Sequence, residues 1–103
     1  MPQFDVYRNP RGGSIYPLVV DVQSELFAQL DSRVVVPMTP RARYAGPVLA
    51  RAIPIVVVES REYALVVPAL AAIAKSTLGK PVGSLAARRF EIIAALDMLI
   101  AGS

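Results

Sequence analysis

From Tyr16 to Gln23 apolar side chains fall on every second residue: Tyr16, Leu18, Val20 and Val22 share one side, with Val19, Asp21 and Gln23 opposite. A period of two is what a pleated strand imposes, because successive side chains leave opposite faces. The pattern recurs from Gln3 to Arg8, where Phe4 and Val6 oppose Asp5 and Tyr7. Between these runs, Asn9-Pro10-Arg11-Gly12-Gly13-Ser14 reads as a turn whose two glycines are free to take positive φ. An antiparallel hairpin is the economical reading, and repeated alternation of this kind points to a small antiparallel sheet.

Four further runs extend it. Arg33 to Met38 is a short strand, and its Pro37 argues for an edge or an end because proline cannot donate to a ladder. Residues 39–47 read as an exposed loop. Ile53–Glu59 and Glu62–Val67 are apolar strands separated by Ser60-Arg61, which suggests a tight hairpin of open turn type. Pro68–Lys75 is read as another strand, although Ala-Leu-Ala-Ala-Ile-Ala also has helix propensity. Residues 79–83 form a loop, after which Ser84 is placed to cap a helix from about Leu85 to Ile100 that stops at Gly102.

On that helix Leu85, Ile92, Leu96 and Leu99 make one stripe, which Ile93 and Ile100 widen. Arg88, Glu91 and Asp97 point elsewhere, and Met98 leaves the last two turns apolar around much of their circumference. One small sheet does not cover so much apolar surface. A homodimer is therefore expected, since symmetric pairing is the commonest way to bury such a face.

Composition bounds the function. A chain of 103 residues supports one hydrophobic core, so residues 1–103 are read as a single domain. No apolar run approaches the roughly 20 residues of a membrane span, and no secretory signal is visible at the start, which makes a cytoplasmic protein the expectation. There is no Cys and no His, which removes thiolate nucleophiles, the commonest general base and the commonest metal ligand. The carboxylates at Asp5, Asp21, Asp31, Glu59 and Glu62 have no metal-ligand spacing, and the serines lack an activating base. No cofactor, metal or catalytic residue is assigned. The net charge of +3 is carried by arginines spread along the whole chain, so sequence-specific binding to nucleic acid is not expected.

Two features remain. Asp21, within an apolar strand, reads as a partly exposed acid paired to an arginine or to backbone amides. Leu26 and Phe27 are adjacent, and neighbours cannot both point inward from a strand, so a bend or short helix after Gln23-Ser24 must carry them. Periodicity alone leaves them as core filler or as a contact site.

Taken together, Gln3-Phe4 with Val6-Tyr7, Val20-Asp21-Val22-Gln23-Ser24, Arg33 with Val34-Val35-Val36-Pro37, Pro54-Ile55-Val56-Val57 and the spacing of the last helix to Gly102 resemble the CcdB family of plasmid and chromosomal toxins. The resemblance runs over almost the whole chain. It implies a small antiparallel, SH3-like barrel sheet with a subsidiary sheet and a C-terminal helix, dimerised through the helix region. It also implies a non-enzymatic toxin that binds the DNA gyrase A subunit, traps its cleaved-DNA state and is neutralised by a CcdA-like antitoxin. The gyrase-facing surface it implies comprises Leu26, Phe27, Asp97, Ile100, Ala101, Gly102 and Ser103. The family pattern ends in an aromatic, a glycine and an apolar residue, where this chain has Ala101-Gly102-Ser103; the aromatic anchor is missing and weak poisoning is expected. Two other readings stand beside it. One is an endoribonuclease toxin of the related fold using Asp21, Arg33, Arg41 and Arg43, and the other is a dimer that binds antitoxin without poisoning gyrase.

Overall fold

The structure, a computed structural model, describes residues 2–13, 15–47 and 51–102. Its strands are β1 (Asp5–Arg8), β2 (Leu18–Asp21), β3 (Ser32–Pro40), β4 (Ile55–Val58), β5 (Arg61–Leu65), β6 (Ala71–Ala74) and β7 (Gly83–Ser84), and a single α-helix, α1 (Arg89–Ala101), follows. They pair antiparallel in the order β4-β5-β3-β2-β1-β7, with β6 also on β3. The sheet curls until its two ends nearly meet. A Cβ built on Gly83 of β7 would lie 3.3 Å from Val58 Cγ1 of β4, so a glycine suits the closest approach of this nearly closed barrel.

Alternation along the strands sorts the core as expected. Phe4, Val6, Leu18, Val20, Val22, Val36 and Met38 line the barrel interior with Val56, Leu65 and Ile92. Tyr7, Val19 and Val35 face the other way and form a smaller cluster with Ile73 and Leu78. Phe4 precedes β1 rather than lying in it: its φ is +72°, an uncommon setting for a bulky residue. Its N–H reaches Asp21 O at 2.6 Å while its ring is buried.

The largest correction concerns β3. It is the spine of the sheet, not an edge: β2 lies on one side while β6 and β5 share the other, meeting Ser32–Val35 and Met38–Pro40 respectively. Pro37 sits where one partner gives way to the next. Its carbonyl accepts from Val66 N–H at 3.0 Å, and the donor it lacks falls in the gap between β6 and β5, where the sheet makes no demand for one.

Smaller corrections follow. The β4–β5 turn is Glu59-Ser60, one residue earlier than expected, with φ of +51° and +65°; this is the doubly left-handed geometry of a tight hairpin, made without Asn or Gly. The expected loop at 79–83 ends in β7, a two-residue strand on β1. The expected strand at 68–75 is β6 flanked by 3-10 turns at Val67–Ala69 and Lys75–Thr77. The expected loop at 39–47 opens with the end of β3 and a 3-10 turn at Arg41–Arg43.

The last helix begins later than its apolar pattern suggested. Ser84 is not the helix cap: its Oγ accepts from Ala86 N–H at 3.2 Å, but a 3-10 turn at Ala86–Arg88 with Leu85 at its N-cap intervenes, and α1 starts only after it. Gly102 ends the helix at φ +73°, with its N–H on Met98 O at 3.0 Å. Only Ile92 and Ala95 of α1 are buried, with Leu96 half-buried beside them. No helix among the described residues is long and apolar enough to cross a membrane.

Candidate functional site

β2 ends in Asp21, and the chain then turns away from the sheet. Asp21 is fully buried, where partial exposure was expected. Its Oδ2 accepts from Arg33 Nε at 2.8 Å and its Oδ1 from Gln23 N–H at 3.0 Å. Arg33, equally buried, also donates from Nη2 to Gln23 O at 3.2 Å, whereas its Nη1 has no partner among the described residues. The ion pair survives burial because both charges are matched and hydrogen-bonded. Its two members lie on neighbouring strands, two residues out of register, since Asp21 pairs with Val35.

Gln23 carries the next contacts. Its Nε2 donates to Phe27 O and Ser32 O, each at 3.1 Å, and its Oε1 accepts from Val34 N–H at 2.9 Å. One buried amide thus joins the outgoing and returning ends of residues 24–31. Ser24 Oγ accepts from Leu26 N–H at 3.2 Å and caps a 3-10 turn over Glu25–Phe27. This is the bend that adjacent apolar residues required. Leu26 is 90% exposed and Phe27 54% exposed. Neither is core.

The expected C-terminal part of the surface is also open to solvent: Asp97, Ile100, Ala101 and Gly102 are all exposed. Ser103 lies outside the described residues. Two clefts border the Glu25–Phe27 turn, one lined by Glu25 to Leu30 and the other by Gln3, Phe4, Glu25, Ala86 and Arg89 among its walls. Neither includes a residue of the last helical turn. The turn therefore neighbours the start of α1, and Ile100 stands about 17 Å farther along the axis from Arg89.

Between them lie residues that periodicity misassigned or passed over. Leu99, read as part of the apolar stripe, is exposed, as is Ile93, read as widening it, and so is Phe90, at 76%. Arg89 lies over the Phe90 ring at 5.1 Å from its centroid, a cation–π contact. Phe90, Ile93, Asp97 and Ile100 follow one another at three- and four-residue steps, so they share a side of the helix. Exposed aromatic and aliphatic side chains on such a face, like the exposed Leu26–Phe27 pair, make surface suited to another protein.

The ribonuclease set is not assembled. Asp21 and Arg33 are locked together in the interior. Arg41 and Arg43 lie past the far end of β3, in the 3-10 turn that follows Pro40, whereas Arg33 is at its start. Among the described residues no group of His, Cys, Asp and Glu is arranged to hold a metal ion.

Burial, and after it the nearby Asp21 charge, hold the Asp5 carboxyl above the usual aspartate range. Burial likewise pushes the Tyr7 hydroxyl up, helped by Asp5 and Asp21. On the surface Arg88 donates twice to Glu91, at 2.6 Å each, and holds that carboxyl down.

The fold and surface together define a small, nearly closed barrel protein with a C-terminal helix and exposed apolar side chains. A family model described as CcdB protein matches residues 3–102, and the chain belongs to that family. No curated protein that was compared matches it.

Proposed function

We propose that this protein is the toxin of a toxin–antitoxin pair, a homodimer that binds the A subunit of DNA gyrase and is neutralised by a CcdA-like antitoxin. Membership of the CcdB family supports the toxin class. The observation that carries the binding mode is the solvent-facing Leu26–Phe27 pair on a turn that buries none of its own residues. Apolar side chains in that setting are available to a partner and contribute little to the fold. In this mechanism the toxin supplies shape and apolar contact, gyrase supplies the chemistry, and no cofactor takes part. The exposed helix face from Phe90 to Ile100 extends the surface available to gyrase or to a second copy.

A second reading is favoured by the terminus. Ala101 and Gly102 are exposed and small, where a large aromatic would anchor a partner with about 2 kcal/mol or more. A dimer that still binds antitoxin but poisons gyrase weakly fits those residues.

Pull-down against purified gyrase and a CcdA-like peptide, with Phe27→Ser and Ala101→Trp beside the native chain, tests both. On the first reading the native chain captures gyrase, and Phe27→Ser loses that capture with its melting temperature nearly unchanged. On the second, gyrase capture emerges only with Ala101→Trp while antitoxin binding is the same in both. Cleavage of total RNA by the purified protein, with no capture of gyrase by any variant, would overturn the proposal.

A further inference from the structure

Residues 24–31 leave the end of β2 and return to β3 without burying a side chain; Ser24 and Ala28 are half-buried and the others exposed. A segment with so little apolar burial opens at low free energy unless polar contacts hold it. Two of those contacts come from close to β2. The Gln23 amide ties Phe27 O and Ser32 O together, and Gln3 N–H donates to the Glu25 carboxylate.

The third comes from far along the chain. Lys75, directly after β6, donates its backbone N–H to Asp31 O at 2.7 Å and its ammonium to Ala28 O at 3.0 Å. Ala28 follows the 3-10 turn, at the end where carbonyls lack partners and a cation is favoured. The lysine's position is itself determined by the sheet, since Ala74 pairs with Ser32. Its half-buried side chain therefore reaches the turn from a rigid base.

We propose that Lys75 is a positioning residue: its ammonium holds the Glu25–Phe27 turn in the geometry that presents Leu26 and Phe27 to the protein partner. This rests on the reading of that pair as a contact surface. A turn held in place before encounter has already met the ordering cost that a loose one meets on binding. The effect on affinity is carried through Leu26 and Phe27, not through contact between Lys75 and the partner.

The test compares Lys75→Met, which keeps most of the stem and removes the charged donor, with Lys75→Arg, which restores a cationic donor. Hydrogen exchange is followed at Ala28 and Leu30, whose N–H groups bond to Glu25 O and Phe27 O within the turn, and at Val22, which bonds to Val34 O between β2 and β3. Lys75→Met should speed exchange at Ala28 and Leu30 about tenfold and leave Val22 unchanged, and Lys75→Arg should reverse most of that. Affinity for the purified gyrase A subunit should fall about three- to tenfold in Lys75→Met and recover in Lys75→Arg. Unchanged exchange in the turn would overturn the proposal, as would equal acceleration at Val22, which would make Lys75 a general stabiliser. Local acceleration with unaltered affinity would also overturn it. If the native chain does not bind gyrase at all, the target assignment fails, and the exchange pattern with its rescue by arginine decides the positioning role by itself.

Discussion

Asp21 and Phe27 are six residues apart, and each is where elementary partition would put the other. A carboxylate lies in the interior against a guanidinium, and an aromatic ring stands in water. The charges are inside because β2 and β3 leave no other place for side chains on that face, and each finds a matched partner there. The apolar pair is outside because the chain has left the sheet and its turn has no floor to pack against. Polar contacts thus shape the interior beneath the turn, while apolar side chains are left free at its surface. A burial scale applied residue by residue inverts both assignments.

The strongest way to break this contrast is to remove one charge. Arg33→Met leaves Asp21 buried and unpaired and should cost about 3 to 5 kcal/mol in urea unfolding. Arg88→Ala, which breaks the exposed pair with Glu91, should cost less than about 1 kcal/mol. Equal effects would mean that burial does not distinguish the two pairs. Adding Asp21→Leu to Arg33→Met should recover much of the loss, because the stranded charge is then gone.

The helix sharpens the same contrast on one element. Ile92→Ala removes a fully buried side chain and should cost about 2 to 5 kcal/mol. Ile100→Ala, at a position 81% exposed, should change stability by less than about 0.5 kcal/mol. A stability loss at Ile100 that appears only as protein concentration rises would mark it as a dimer contact.

The smallest effect is expected at Asp5, whose carboxyl is held above its ordinary range by burial and then by Asp21. An acid raised in the folded state favours folding most while protonated; its contribution is whole below the ordinary aspartate range and is lost as pH rises through the raised value. Asp5→Asn should therefore be slightly more stable than the native chain near neutral pH, with the difference vanishing in acid. A gain that persists undiminished in acid would rule out titration of Asp5 as its cause.

How much of this was legible depends on the range of the signal. The alternation at Leu18–Val22 and Val34–Val36 is local, and it sorted the two faces correctly because a strand has only two. Gly102 as a helix stop and a bend at Leu26–Phe27 are also local. Pro37 misled because a proline at a handover between partners has the same sequence signature as one at an edge; only β5 and β6, some thirty residues on, tell them apart. Asp21 was placed too near the surface because its burial depends on Arg33 across the sheet. Ile93 and Phe90 could not be ordered by periodicity on a helix that is apolar almost all round. The reach of Lys75 to Ala28 spans 47 residues and left no mark in either segment.

The central place of β3 also matters while the chain is being made. Synthesis adds about 5 to 20 residues each second, so β3 leaves the ribosome seconds before β5 and β6, and for that interval one long side of an apolar strand has no mate. Such a side is a template for a neighbouring nascent chain. Pro37 stands at its midpoint and offers no N–H to a stranger. The residue that marks the join between β5 and β6 in the finished barrel thus acts earlier as a gatekeeper against misassembly.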